Sequence, residues 1–278
     1  SLYQLGFGAR GMGFRDSSQD VMGAITALPS ESKALLIKLL QVQKRDGSAM
    51  HQFNPLTMVA NVGDSAAEED RPKFYSDDPL WSVLAAAEYI KETGDFDFLN
   101  NEIAFYDKDR QENPIERGSV WEHLQRAIQF THDHTGSHGL PLLGFADWND
   151  TVNLPTGAES LFTANLYGWA LKEMIALSEK LGEADLLQKF KAYYQEMADL
   201  VNEVAWDGNW YLRYFDHHGQ PLGSHQNDHG QIYTNAQSWA LLSGFAPHQR
   251  AVKALDSVYE RLNTSKGIKL STPGYDGF

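Results

Sequence analysis

The feature that most constrains this chain is a helical periodicity that arrives in pairs. Between Leu161 and Leu181 the apolar residues Ala164, Tyr167, Ala170, Leu171, Met174 and Ile175 fall on one stripe of a helix, and Leu186, Leu187, Phe190, Tyr194, Met197 and Val201 form a second stripe. Gly182 between them reads as a helix stop, and the turn is too short for anything but an antiparallel pair. The same helix-turn-helix pattern recurs near 17–28 with 31–44, near 77–93 with 119–135 and near 234–245 with 248–263. Some connectors are tight, such as Pro29-Ser30-Glu31, whereas others are long and rich in Gly, Asp, Asn, His and Trp. Repeated hairpins with functional loops gathered at one end predict an all-α fold, a toroid of helical hairpins of the (α/α)-barrel type. Eight helices leave a six-hairpin ring incomplete, so residues 1–278 are expected to be one part of a larger polypeptide. One short β-hairpin excursion is expected between Trp206 and Gly223, where Tyr211, Arg213 and Phe215 alternate and Gly208 and Gly219 punctuate.

Bulk properties narrow the partners. With 278 residues and 42% hydrophobic content the chain can bury a substantial core. A formal charge of −14, with no Lys/Arg block, opposes binding to nucleic acid or an anionic membrane surface. There is no cysteine for disulfide or thiolate chemistry. No stretch reads as a signal peptide or a membrane span, so cytoplasm is the default expectation. Aromatic residues make up 12% of the chain, and several Trp and Tyr neighbour Asp, Asn and Gln. That mixture suits a pyranose, which offers apolar C–H faces for stacking and hydroxyls for hydrogen bonds.

Several polar clusters are candidates for chemistry. Gly6-Phe7-Gly8-Ala9-Arg10-Gly11 matches a dinucleotide fingerprint in letters only. No strand precedes it, no βαβ unit surrounds it, and residues 12–16 are expected to continue as loop. Arg10, Arg15, Asp16, Gln19 and Asp20 crowd together just before an apolar helix. An Arg beside an Asp can grip vicinal sugar hydroxyls, although Asp16 or Ser17 could equally cap that helix. In Ala146-Asp147-Trp148-Asn149-Asp150, which follows an apolar run, Trp148 can stack on a ring between two carboxylates. A carboxyl held against an aromatic in a dry pocket would have its ionised form disfavoured, as a general acid requires. The segments around His51 and Gln52, and around Asp77, Asp78 and Trp81, each place hydrogen-bonding groups beside an aromatic. Asp77 or Asp78 before Pro79 is also an ordinary helix start. The clustered histidines (132, 134, 217, 218, 225 and 229) do not reproduce a metal-ligand spacing, so no metal is expected.

These motifs carry a resemblance. Residues 11–20 (Gly-Met-Gly-Phe-Arg-Asp-Ser-Ser-Gln-Asp), 46–57 (Asp-Gly-Ser-Ala-Met-His-Gln-Phe-Asn-Pro-Leu-Thr), 76–81 (Ser-Asp-Asp-Pro-Leu-Trp), 89–95 and 138–150 resemble glycoside hydrolase family 94, which contains cellobiose phosphorylase. The resemblance implies an (α/α)6 barrel and inverting phosphorolysis of a β-linked glucose disaccharide or oligosaccharide. Inorganic phosphate would be the co-substrate, with no cofactor. It implies that Asp150 is the general acid, that Arg10, Asp16 and Trp148 hold the non-reducing sugar, and that a homodimer is one expected assembly, although no seam is legible. Arg15, Asp147, His51, Gln52 and Asp78 complete the expected substrate-binding set. By the same resemblance, the family's phosphate-contacting Arg is expected just upstream of Ser1 and its later phosphate residues beyond Phe278. Two alternatives stay open: an inverting hydrolase, with Asp147 or another acid activating water, and a non-catalytic sugar-binding module.

Overall fold

A helix that is apolar on all sides must be surrounded, and two such helices organise the molecule. The computed structural model describes residues 11–275. Eight α-helices are present among them: α1 (Phe14–Ala24), α2 (Pro29–Leu40), α3 (Asp78–Thr93), α4 (Val120–Asp133), α5 (Leu161–Leu181), α6 (Ala184–Val204), α7 (Thr234–Leu242) and α8 (His248–Leu262). They fall into two compact units. The first runs to Asp133 and adds Gly144–Asp150; the second comprises His134–Leu143 and the chain from Thr151 onward. None of the described helices is long and apolar enough to cross a membrane.

In the first unit α3 is the centre. Its run from Leu80 to Ala87 is buried without a break, and α1, α2 and α4 all pack on it. Each large aliphatic side chain buried there contributes about 1.5–3 kcal/mol, so the helix is held by packing and not by intrinsic propensity. Its polar first turn is buried too, which matters for the site. In the second unit α5 has the same role, buried along most of its length between α6 and α7, with α8 packed on α7. The hairpin expected of α5 and α6 is present. Gly182 takes the left-handed conformation with φ 76°, and α6 begins two residues later.

Short antiparallel strands fasten the loops. In the first unit Met12–Gly13 pairs with Gln52–Phe53, which pairs in turn with Ala60–Asn61. Residues 12–16 are therefore not a loop. Met12 and Phe14 are both buried, the strand leads directly into α1, and the helix starts at Phe14 with Gly13 as an N-cap that supplies no side-chain bond. Asp16 thus lies within the first turn of α1, and neither it nor Ser17 caps the helix. In the second unit the expected hairpin forms from Tyr214–Phe215 and Pro221–Leu222, and Glu159–Ser160 adds a third strand. The buried Glu159 carboxylate accepts hydrogen bonds from the backbone N–H of His138 and Leu140, tying down a loop of that unit.

The tight packing around α5 leads to a test. At Gly168 an added Cβ would lie 2.3 Å from the ring of Phe245. Gly168→Ala gains helix propensity of about 1 kcal/mol but forces an overpacked core costing about 1–3 kcal/mol. The variant should lose stability by about 1 kcal/mol, read as a lower urea midpoint at an unchanged slope.

Candidate active site

The site residues of the first unit are brought together by a strand-like seam. Phe145 N–H donates to Phe74 O at 2.8 Å and Ser76 N–H to Ala146 O at 3.0 Å, so residues 74–76 lie alongside 144–146, with an isolated antiparallel bridge between Tyr75 and Gly144. Gly144 makes this approach possible. Its φ is +67°, and a Cβ there would stand 2.5 Å from Phe74 O. One side of the seam runs into Asp77 and the start of α3, and the other runs into Asp147, Trp148 and Asp150.

Arg15, in the first turn of α1, joins the two sides. Its Nε and Nη2 donate to the two oxygens of Asp77, each at 2.6 Å. Nη2 also donates to the backbone oxygen of Asp147 at 2.8 Å, and Nη1 donates to Asp150 Oδ1 at 2.6 Å. Four of the five guanidinium N–H groups are thus committed to protein. The Trp81 indole donates to Asp77 Oδ2 at 2.8 Å from one turn further along α3. Asp78 lies 3.9 Å from Arg15 Nε and bonds His51 Nδ1 at 2.9 Å, while the His51 ring stacks on Tyr75 at 3.5 Å.

Burial divides these groups by role. Arg15 is 4% exposed and Asp77, Asp78 and Asp147 are fully buried, whereas the side chain of Asp150 is 56% exposed. Burial alone would favour a neutral Arg15, but Asp77 and Asp78 more than offset it and keep the guanidinium charged. For Asp77 burial dominates and pushes the carboxyl up to about 6; the attraction of Arg15 acts against this, and Asp78 and Asp147 add to the rise. Burial also opposes a charge on His51, yet Asp78 outweighs it and the imidazolium is favoured. Tyr75 is kept protonated by burial, with Asp150, Asp64 and Asp78 adding to the effect. Among the described residues no group of three or more His, Cys, Asp or Glu is placed to hold a metal ion.

The pattern of the Glycosyl hydrolase 94 superfamily, catalytic domain, matches residues 1–278. The chain belongs to this family. It is 33% identical over 271 residues to the solabiose phosphorylase of Paenibacillus borealis, covering 96% of this chain and 33% of that protein. It is 29% identical over 285 residues to the N,N'-diacetylchitobiose phosphorylase of Vibrio furnissii, covering 96% and 35% respectively. The chain thus spans about one third of the length of these relatives. A rhamnosidase from Klebsiella oxytoca, solved with rhamnose bound, matches with a TM-score of 0.60 at 14% identity, over 90% of this chain and 42% of that one, a likeness of fold alone.

Several residues that the sequence singles out in this family-94 chain sit differently from expectation. Asp150 is not in a dry aromatic pocket; it is more than half exposed and ion-paired with Arg15. Trp148 is 52% exposed and donates through its indole to Gln19 at 3.2 Å. Asp147 faces inward and accepts from Asn149 N–H at 2.9 Å, an Asx-turn that aims the loop. Arg15 and Asp78 lie beneath the surface, His51 is buried against Tyr75, and Gln52 is half-buried in its strand. Asp16 is half-buried, with its carboxylate folded over the backbone of Gly13. Arg10 and the rest of the glycine-rich match before Gly11 lie outside the described residues.

Asp77, named in its segment as a candidate, is the member that the expected substrate-binding set leaves out. An acid before Pro79 looks like a helix cap, yet its side chain caps nothing and instead meets Arg15 and Trp81. The legible signal is the doubling: one acid suffices to start a helix, and here two stand in succession with a Trp four residues after the first. The buried titration sets a pH test. An ordinary Asp titrates near 3.8, so between about pH 4 and 6 the folded chain binds the extra proton at Asp77 and this contribution to stability falls as pH rises. His51 contributes stability that is present below about pH 6.5 and is lost as pH rises above it. Asp77→Asn should remove the first slope and keep the second, as urea unfolding from pH 4 to 8 would show.

Proposed function

We propose that this chain is part of an inverting phosphorylase that splits a β-linked glucose disaccharide, cellobiose-like, into α-glucose 1-phosphate and a free sugar. Asp150 is the general acid in this reading, and Arg10, Asp16 and Trp148 hold the non-reducing glucose. The eight helices belong to an (α/α)6 toroid. The observation that carries the proposal is the distribution of exposure among the carboxylates. Of the carboxylates within ion-pair distance of Arg15, Asp77 and Asp78 are fully buried and Asp150 presents its carboxylate to solvent; Asp147 in the same loop is buried, and Trp148 is exposed. An inverting hydrolase needs a second carboxylate that activates water on the opposite face of the sugar. Asp147, the first candidate for that task, is buried and bonded to its own loop. A phosphorylase needs one acid only, because phosphate is already an anionic nucleophile. Membership of family 94 and the names of the relatives, which specify solabiose and N,N'-diacetylchitobiose, favour a disaccharide substrate.

The step balances simply. A phosphate oxygen forms a bond to C1 from one face as the C1–O bond to the leaving sugar breaks on the other. Asp150 transfers its proton to the departing oxygen and becomes a carboxylate. In the full-length protein, Asp150→Asn should reduce phosphorolysis of the disaccharide by about 10²- to 10⁴-fold yet spare an activated aryl glucoside, whose leaving group needs little protonation. Steady-state rates on the two substrates, with and without phosphate, check this. Equal loss on both would assign Asp150 to sugar positioning, and turnover indifferent to phosphate would favour a hydrolase.

A further inference from the structure

Resting on the reading of Asp150 as the acid, we propose that Asp77, acting through the Arg15 guanidinium, is a positioning residue that fixes where the acid sits and how readily it gives up its proton. The basis is geometric. Arg15 has a planar fork whose orientation is set by three bonds to partners that lie within the packed part of the first unit: two to Asp77 and one to the backbone of Asp147. With the plane so fixed, Nη1–H points to one place, and Asp150 Oδ1 occupies it at 2.6 Å. Asp77 is itself held, since Trp81 donates to the same oxygen that Nε uses and the seam of residues 74–76 leads directly into it. Acid loop, α1 and α3 are therefore tied together through one guanidinium, which the Asp77 carboxylate holds in place.

The charges give this anchor a chemical consequence. Asp150 becomes an anion as it protonates the leaving oxygen, and Arg15 is the cation in contact with that anion. A lone guanidinium in contact with a carboxyl group favours its ionised form, the wrong form for an acid that must give up a proton. Asp77 cancels much of the guanidinium charge through its two bonds. The other groups around the ion pair are Asp78, Asp147, Tyr75 and His51; Asp64 acts on Tyr75, and the Asp16 carboxylate lies over Gly13. Asp78 is paired with His51, and Tyr75 is uncharged, so Asp77 is the partner most directly set against Arg15. Phosphorolysis thus depends on a carboxylate that never meets the sugar.

Asp77→Asn in the full-length protein, assayed with phosphate on a β-linked glucose disaccharide and on an activated aryl glucoside, tests the proposal. Removing the anion leaves Arg15 uncompensated beside Asp150. The alkaline limb of the disaccharide pH–rate profile should move toward acid by about 1 unit or more, and the rate at pH 7.5 should fall at least about tenfold, with the aryl glucoside spared. The double variant Asp77→Asn with Arg15→Gln removes both buried charges together. Its alkaline limb should return to within about half a unit of wild type, while kcat for the disaccharide stays at least about tenfold low because the acid is no longer oriented. An unmoved alkaline limb in Asp77→Asn, or equal slowing of both substrates, overturns the inference. If the single variant does not fold, the double variant decides, and an undiminished kcat on the disaccharide overturns it. Asp150→Asn run in parallel separates the two readings: equal loss on both substrates there removes the acid assignment itself, whereas selective loss there with no shift in Asp77→Asn removes only the role of Asp77.

Discussion

One buried guanidinium organises the first unit of this protein. Taking an arginine out of water costs several kcal/mol unless its charge is matched and its donors are used. Arg15 sits moreover at the N-terminal end of α1, where the helix dipole disfavours a cation. The chain answers with the N-terminal end of α3, where the dipole favours anions and where Asp77 and Asp78 are placed side by side. The ion pair therefore sets the start of α1 against the start of α3, and the Asp147 carbonyl adds the loop that carries Asp150. Shifting any of the three would leave a buried charge without its partner, so their relative placement is tightly specified.

This constraint also sorts the carboxylates by task. A single guanidinium cannot satisfy every anion near it, and the two edges differ. The Nε/Nη2 edge takes Asp77 in a fork that no solvent reaches, and Nη1, nearer the surface, takes Asp150. Buried carboxylates can orient but cannot meet a substrate; an exposed one can meet a substrate but needs to be oriented. In the proposed reaction Arg15 carries orientation from the first kind to the second, and the carboxylate formed on Asp150 at the end of proton transfer has its counter-ion already in place.

Much of the architecture is legible in the residues alone. The pairing of α5 with α6 follows from two apolar stripes around Gly182, and the β excursion near Trp206 to Gly223 follows from alternation and glycine placement. The errors are equally instructive. Residues 12–16 read as loop because a two-residue strand and an uncapped helix start carry no periodic or capping signal; pairing with Gln52–Phe53, forty residues away, creates them. Asp150 reads as a carboxyl in an apolar setting because the run from Leu140 to Gly144 precedes its motif. Its loop instead turns at Asp147, whose backbone N–H partner at Asn149 directs the following residues toward solvent.

What the sequence by itself determined is the family, the paired helices and the roster of polar residues from which a site could be drawn, because periodicity and motif order are properties of neighbouring positions. What the tertiary structure decided is which of those residues touch. Arg15, Asp77 and Asp150 are separated by 62 and 73 positions, and nothing local to any of them names the others. Their meeting depends on the burial of α3 at the centre of its unit and on the seam between residues 74–76 and 144–146. Only when those long-range contacts close does a helix-start aspartate become the counter-charge of an arginine, and that arginine the partner of an acid.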